Sequence, residues 1–193
     1  MAVIRLIAGL GNPGEEYRDT RHNAGFWFVD RVAQEEGGRF SRESRFHGEV
    51  ARLRAPGQDD LWLLKPLTYM NESGRSVGAL ARFYRIPAEQ ILVVHDELDL
   101  APGTVRLKRG GGHAGHRGTR DVAAALGTPD FWRLRLGIGH PGDRNQVVDY
   151  VLHRPGKDEQ ALIDEAVEKA MEVLPGLLQG RMEEGIMNLH APR

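Results

Sequence analysis

The sequence predicts a single α/β domain spanning residues 1–193, with a mixed, largely parallel twisted sheet and helices on both faces. Two patterns carry that prediction. Short apolar runs of strand length alternate with segments of helical period, an order that buries a parallel sheet from both sides. The 193 residues also suffice for one substantial core, and neither an internal repeat nor a low-complexity linker divides them.

The elements follow in order. Residues 3–8 are β-branched and aliphatic and end at glycines, as a buried strand does. After Asn23, placed to cap a helix, residues 24–36 set Phe26, Val29, Asp30 and Ala33 along one ridge and stop at Gly37 and Gly38. Strands are predicted at 46–53 and 61–65, the second halted by Pro66. Val77, Leu80, Ala81 and Tyr84 mark an amphipathic helix within 71–85, ended by Ile86-Pro87. Residues 91–95 form a fully apolar strand with Asp96-Glu97-Leu98-Asp99 at its C-terminal end, and 104–108 pairs nearby. Val122, Ala125 and Leu126 place a helix closing at Gly127. In the strand over 132–138, Arg133 and Arg135 emerge on one face, which is either exposed or binds something. Residues 158–174 form a helix with Leu162, Ile163, Ala166, Val167, Ala170 and Val173 inside, and 177–189 add another.

Composition narrows the chemistry. Lys and Arg number 26 against 27 Asp and Glu, a net charge of -1, so nucleic acid is not coated along the whole surface, although a local basic patch is allowed. There is no Cys, which removes disulfides, thiolate metal sites and cysteine nucleophiles together and suits a reducing compartment. No apolar run approaches membrane-spanning length, and the N-terminal run is too soon broken by Gly9 and Gly11 for a signal peptide. A cytoplasmic protein is expected.

Gly9-Leu10-Gly11-Asn12-Pro13-Gly14 has the G-x-G-x-x-G form after a strand, but Pro13 interrupts it and the next regular segment is itself the helix holding Asp30. A dinucleotide fold needs the helix to begin inside the fingerprint and an acid on the following strand, so that reading fails. His22 is either structural or a base, and Asp96 either begins an Asx turn or holds an imidazole in its proton-accepting tautomer. Asn71 is explained equally by capping or by donation to an oxyanion. Residues 103–120 carry Arg106, Lys108, Arg109, Arg117 and Arg120 and no acid, which favours phosphate binding. His113 and His116 hint at a metal, but neither a Cys nor an HExxH helix supports one, and no metal or cofactor is expected. A serine hydrolase elbow, G-x-S-x-G, is also absent.

Taken together, the glycine loop at 9–14, Tyr17 with Thr20-Arg21-His22-Asn23-Ala24-Gly25, Met70-Asn71 with Ser73-Gly74, His95 through Asp99, the loop at 110–118, and Arg133 through Gly142 closely resemble bacterial peptidyl-tRNA hydrolase. The resemblance implies a monomeric, metal-free esterase that frees tRNA and peptide from peptidyl-tRNA. It implies His22 as catalytic base, Asp96 as orienting acid, Asn12 and Asn71 as amides handling the peptide and the reacting carbonyl, and Tyr17, Tyr69 and Met70 as cleft lining. Lys108 and Arg135 correspond to a basic pair gripping tRNA phosphate, and His116 and Arg117 fall in the substrate-binding loop. Where the family pattern has Asn after the second His of that loop, this chain has Arg117, expected to reach tRNA phosphate or to fold into solvent. Two other classes fit the residues alone: a non-catalytic RNA-binding module, and a metal-dependent phosphodiesterase using Asp96, Glu97, Asp99 and the histidines.

Overall fold

The computed structural model describes residues 3–54 and 57–190; the first two residues of the N-terminal run lie outside that range. Its sheet has seven strands: β1 (Leu6–Gly9), β2 (Ser41–Glu43), β3 (Gly48–Leu53), β4 (Leu61–Pro66), β5 (Ile91–Glu97), β6 (Val105–Arg109) and β7 (Trp132–Gly137). They lie in the order β2-β3-β4-β1-β5-β7-β6. The central four, β4, β1, β5 and β7, run parallel; β3 on one flank and β6 on the other run antiparallel to them, and β2 pairs antiparallel with β3. The predicted 104–108 strand therefore pairs with β7 at the sheet's far edge, one strand removed from β5.

Two apolar layers sandwich this sheet. Helices α1 (Ala24–Glu36), α5 (Lys157–Leu178) and α6 (Met182–His190) pack on the face carrying Ile7, Leu63, Val94 and Leu134. Helices α2 (Ser73–Phe83) and α3 (Arg117–Leu126) pack on the face carrying Leu6, Leu64 and Val93. A short helix α4 (Val147–Val151) follows β7 and was not foreseen, although Val147, Val148 and Val151 carry its period.

Several side chains fall differently from the expected ridges. In α1 the buried set is Ala24, Gly25, Phe28, Val29, Val32 and Ala33, while Asp30 points outward to an ion pair with Lys65 at 2.7 Å. Leu162 of α5 is 42% exposed, one position off the buried row that starts at Ile163. Arg133, expected on a face that is exposed or binds something, is buried. It donates to Gly112 O at 2.6 Å and Pro129 O at 3.0 Å, and its guanidinium lies over the Phe131 ring, so it braces the glycine loop from below.

One close approach places the site. The start of α1 crosses the end of β1 so tightly that a Cβ on Gly25 would sit 2.4 Å from Val94 O and 2.6 Å from Leu10 N. Only a residue without a side chain permits that crossing. Gly25→Ala is therefore expected to lower unfolding free energy by roughly 1–3 kcal/mol or more in urea denaturation, the usual cost of overpacking. Gly112→Ala, where an added Cβ meets nothing within 4 Å, leaves the urea midpoint unchanged.

Candidate active site

The C-terminal ends of the parallel strands open onto a cavity of about 270 Å³, where ligands of open α/β sheets collect. His22 reaches it from a 3-10 turn, Arg21–Asn23, directly before α1. Asp96 reaches it from β5. It does not begin a turn: Asp96 and Glu97 continue the strand and pair with Leu136 and Gly137 of β7, so the carboxylate stands on a rigid, fully buried support.

Asp96, 2% exposed, is flanked by two imidazoles. His22 Nδ1 lies 2.9 Å from Oδ2 and His116 Nε2 lies 2.8 Å from Oδ1. The tautomers follow from the other partners. His116 caps α3 by accepting the Thr119 N–H on Nδ1, at 3.2 Å, which puts its ring hydrogen on Nε2 and makes it a donor to Asp96. His22 donates from Nδ1, leaving Nε2 as the nitrogen available to the cavity. A third ring, His95, bonds the Asp96 carbonyl oxygen through Nδ1 at 2.7 Å; burial, with His116 beside it, pushes its pKa down to about 3, so it is neutral.

Burial pulls the His22 pKa down, but the charge and hydrogen bond of Asp96 outweigh it and the value is raised above that of an ordinary histidine; Arg117 opposes with its positive charge. Burial would raise Asp96 in turn, but the two imidazoles hold its carboxyl well below the usual carboxylate range. The low value keeps Asp96 ionised, and its charge favours the protonated form of His22. Arg117, the first residue of α3, is exposed, lines the cavity and tunes His22 through space.

The amides are placed by backbone bonds. Asn12 Oδ1 accepts the Met70 N–H at 2.7 Å, which leaves its Nδ2 hydrogens for the cavity that it lines. Asn12 is itself gripped by Asn23, whose Oδ1 accepts the Asn12 N–H at 2.8 Å and whose Nδ2 donates to Asn12 O at 3.0 Å. Asn23 therefore makes no side-chain cap for α1. Asn71 is not a cap either: it sits inside a 3-10 turn, Met70–Glu72, exposed and lining the cavity beside Tyr69 and Met70. Tyr17 stands behind Tyr69 with ring centroids 6.4 Å apart, edge to face, and is not part of the cavity wall.

Two predicted cations lie elsewhere. Lys108 on β6 and Arg135 on β7 are outside the cavity lining, and Arg135 Nε donates to Glu97 Oε1 at 2.9 Å. The acid-free stretch is not acid-free in space, because Arg109 forks onto Asp130 at 2.7 and 2.8 Å; Arg106 is engaged as well, donating to the backbone Leu189 O. His113 is exposed, its Nδ1 accepting from Gly115 N, and takes no part in a metal cluster among the described residues. The ligand atoms of His22, Asp96 and His116 lie within 4.8 Å of one another, yet each imidazole addresses a different oxygen of Asp96. In this arrangement those nitrogens serve as hydrogen-bond donors to the carboxylate. Glu97, Leu98, Ala114 and Gly115 also line the cavity, and Val147, Val148, Val151 and Leu152 form an apolar wall that carries no motif.

A buried histidine–carboxylate pair with converging amides, at the C-terminal edge of a parallel sheet, defines an α/β enzyme site built for proton transfer. Residues 6–193 match the family described as peptidyl-tRNA hydrolase. The chain is 61% identical over 190 residues to the peptidyl-tRNA hydrolase of Methylobacillus flagellatus, covering 98% of each. It is 54% identical over 189 residues to that of Neisseria meningitidis, again covering 98% of each. The crystal structure of peptidyl-tRNA hydrolase from Acinetobacter baumannii superposes with a TM-score of 0.96 at 47% identity, covering all of this chain and 97% of the other. The chain belongs to the peptidyl-tRNA hydrolase family.

The site makes a signed prediction for His22, readable by NMR titration of its ring protons. Asp96→Asn removes the charge that raises the His22 pKa, so the midpoint moves to lower pH. Arg117→Asn removes an opposing cation, so the midpoint moves to higher pH. A change of the same sign in both variants contradicts this arrangement.

Proposed function

We propose that the protein hydrolyses the ester joining a peptide, or an N-blocked amino acid, to the terminal ribose of tRNA, releasing tRNA and peptide dropped during translation. The observation that carries this reading is the 2.9 Å bond from His22 Nδ1 to buried Asp96, which leaves one basic nitrogen facing a cavity lined by two amides.

His22 Nε2 takes a proton from a water molecule, and the hydroxide formed attacks the ester carbonyl carbon. Asp96 stabilises the imidazolium, as its raising effect on the His22 pKa requires. Asn71, exposed to the cavity, donates to the oxyanion. The tetrahedral intermediate collapses with the ribose oxygen as leaving group, which receives the proton held by His22. An alkoxide departs more readily than an amine anion, so one base with one supporting anion suffices and no covalent enzyme intermediate is needed. Asn12 Nδ2 binds a peptide carbonyl, Tyr69 and Met70 line the acyl path with Tyr17 supporting Tyr69, and His116 fixes Asp96.

Lys108 and Arg135 hold tRNA phosphate outside the cavity. Burial and the charges of Arg135 and Arg133 push the Lys108 pKa down, with Glu97 opposing. Cations that disfavour one another's charge are relieved by an anion, which supports phosphate as the ligand. Arg117, exposed at the start of α3, adds a further contact to phosphate. The enzyme acts as a monomer in the cytoplasm, where translation generates its substrate. Among the described residues no helix is long and apolar enough to cross a membrane.

Hydrolysis of N-blocked aminoacyl-tRNA in excess chelator tests the reading directly. The wild type releases the amino acid, and His22→Ala loses about 10²- to 10⁴-fold in rate while still binding tRNA. Release abolished by chelator would point to a metalloenzyme, and binding without release to an RNA-binding module. In a second measurement, Lys108→Ala and Arg135→Ala each lower the slope of log tRNA affinity against log salt by up to about one. An unchanged slope for both would remove them from the tRNA site.

A further inference from the structure

Arg21 precedes His22 in the chain, yet its side chain serves a different wall of the cavity. Its backbone N–H donates to His153 O at 3.0 Å and Nη1 donates to Tyr150 O at 2.9 Å. Nε and Nη2 fork onto the Glu159 carboxylate at 3.2–3.4 Å, and the guanidinium carbon lies 3.8 Å above the Tyr150 ring. Arg21 is 7% exposed, and a guanidinium so buried persists only where its donors find partners. Tyr150 is anchored in turn by its hydroxyl, which donates to Ile138 O at 2.5 Å.

Three segments meet on this one side chain: the turn that holds His22, the α4 segment, and the first turn of α5. The middle one presents Val148, Val151 and Leu152 to the cavity, and Val148 is 60% exposed although apolar. Arg21 thus ties the His22 turn directly to that wall, beside the anchor that Tyr150 makes on Ile138 at the end of β7. An apolar acyl side chain seated on Val148 would feel any slackening, whereas an acyl group lacking a side chain would not.

We propose that Arg21 is a positioning residue for substrate selectivity. It holds the α4 wall in register with His22, so the enzyme favours an apolar aminoacyl group next to the scissile ester over glycine. The proposal rests on the ester-hydrolase reading given above. Lys at this position keeps the charge but cannot reproduce the fork onto Glu159 together with the carbonyl contact.

The test compares N-blocked leucyl-tRNA and N-blocked glycyl-tRNA with the wild type, Arg21→Lys and Glu159→Gln. In Arg21→Lys the KM for the leucyl ester rises about tenfold more than that for the glycyl ester, in the range that methylene-sized misfits produce in apolar pockets. The pH midpoint of kcat stays where it is. Glu159→Gln, altered at the outer end of the fork, shifts selectivity in the same direction by less. Equal losses on both esters, a moved pH midpoint, or unchanged selectivity would overturn the proposal. If Arg21→Lys does not fold, Glu159→Gln decides alone, with unchanged selectivity counting against it. A wild type that cleaves neither ester refutes the function itself.

Discussion

The site depends on a buried carboxylate that stays ionised. An isolated anion in a sheet interior is costly, and Asp96 is tolerated because two N–H donors arrive from opposite sides, one on each oxygen. Each donor is fixed by something else. The Thr119 amide at the start of α3 fixes the His116 tautomer, and the Gly25 crossing over β1 seats the turn that carries His22. Removing any one of these leaves a buried charge with half its support.

Around this rigid centre the cavity is assembled from parts with different origins. Asn12, Met70 and Asn23 form a small hydrogen-bonded unit in which backbone groups and amide side chains satisfy each other, so the amide left facing the cavity is pre-oriented before substrate arrives. The apolar wall is tethered less directly, through Arg21, Tyr150 and Glu159. The polar groups thus stand on strand ends and first helical turns, while the apolar wall stands on a five-residue helix held by the Arg21 guanidinium, the Tyr150 hydroxyl and a small apolar cluster.

Charge follows the same division. The cluster at β6 and β7 carries its own counter-ion in Glu97 and a buried brace in Arg133, so the basic surface left for an anion is smaller than a count of arginines suggests. As the proposed contact to tRNA phosphate, such a partly compensated cluster favours release, because affinity grows steeply with every phosphate neutralised.

Much of this was legible along the chain. Helix α1 and its glycine stop, the apolar β5 with Asp96 at its end, and the ordered motifs from Gly9 to Pro141 are local patterns, and local patterns survive in a linear reading. The strand over 132–138 showed which residues share a face, but not that Arg133 would be roofed by Gly112 and Pro129. What the tertiary structure alone decided were the pairings across long separations: His22 with Asp96 over 74 positions, Asp96 with His116 over 20, and Arg21 with Glu159 over 138. It also moved Asn23 from helix cap to the anchor of Asn12 and showed α4 to be a cavity wall. The physical reason is the same in each case. Periodicity and capping depend on neighbours a few residues away, whereas the partner of a buried polar group is whichever group the packed layers bring within hydrogen-bond reach.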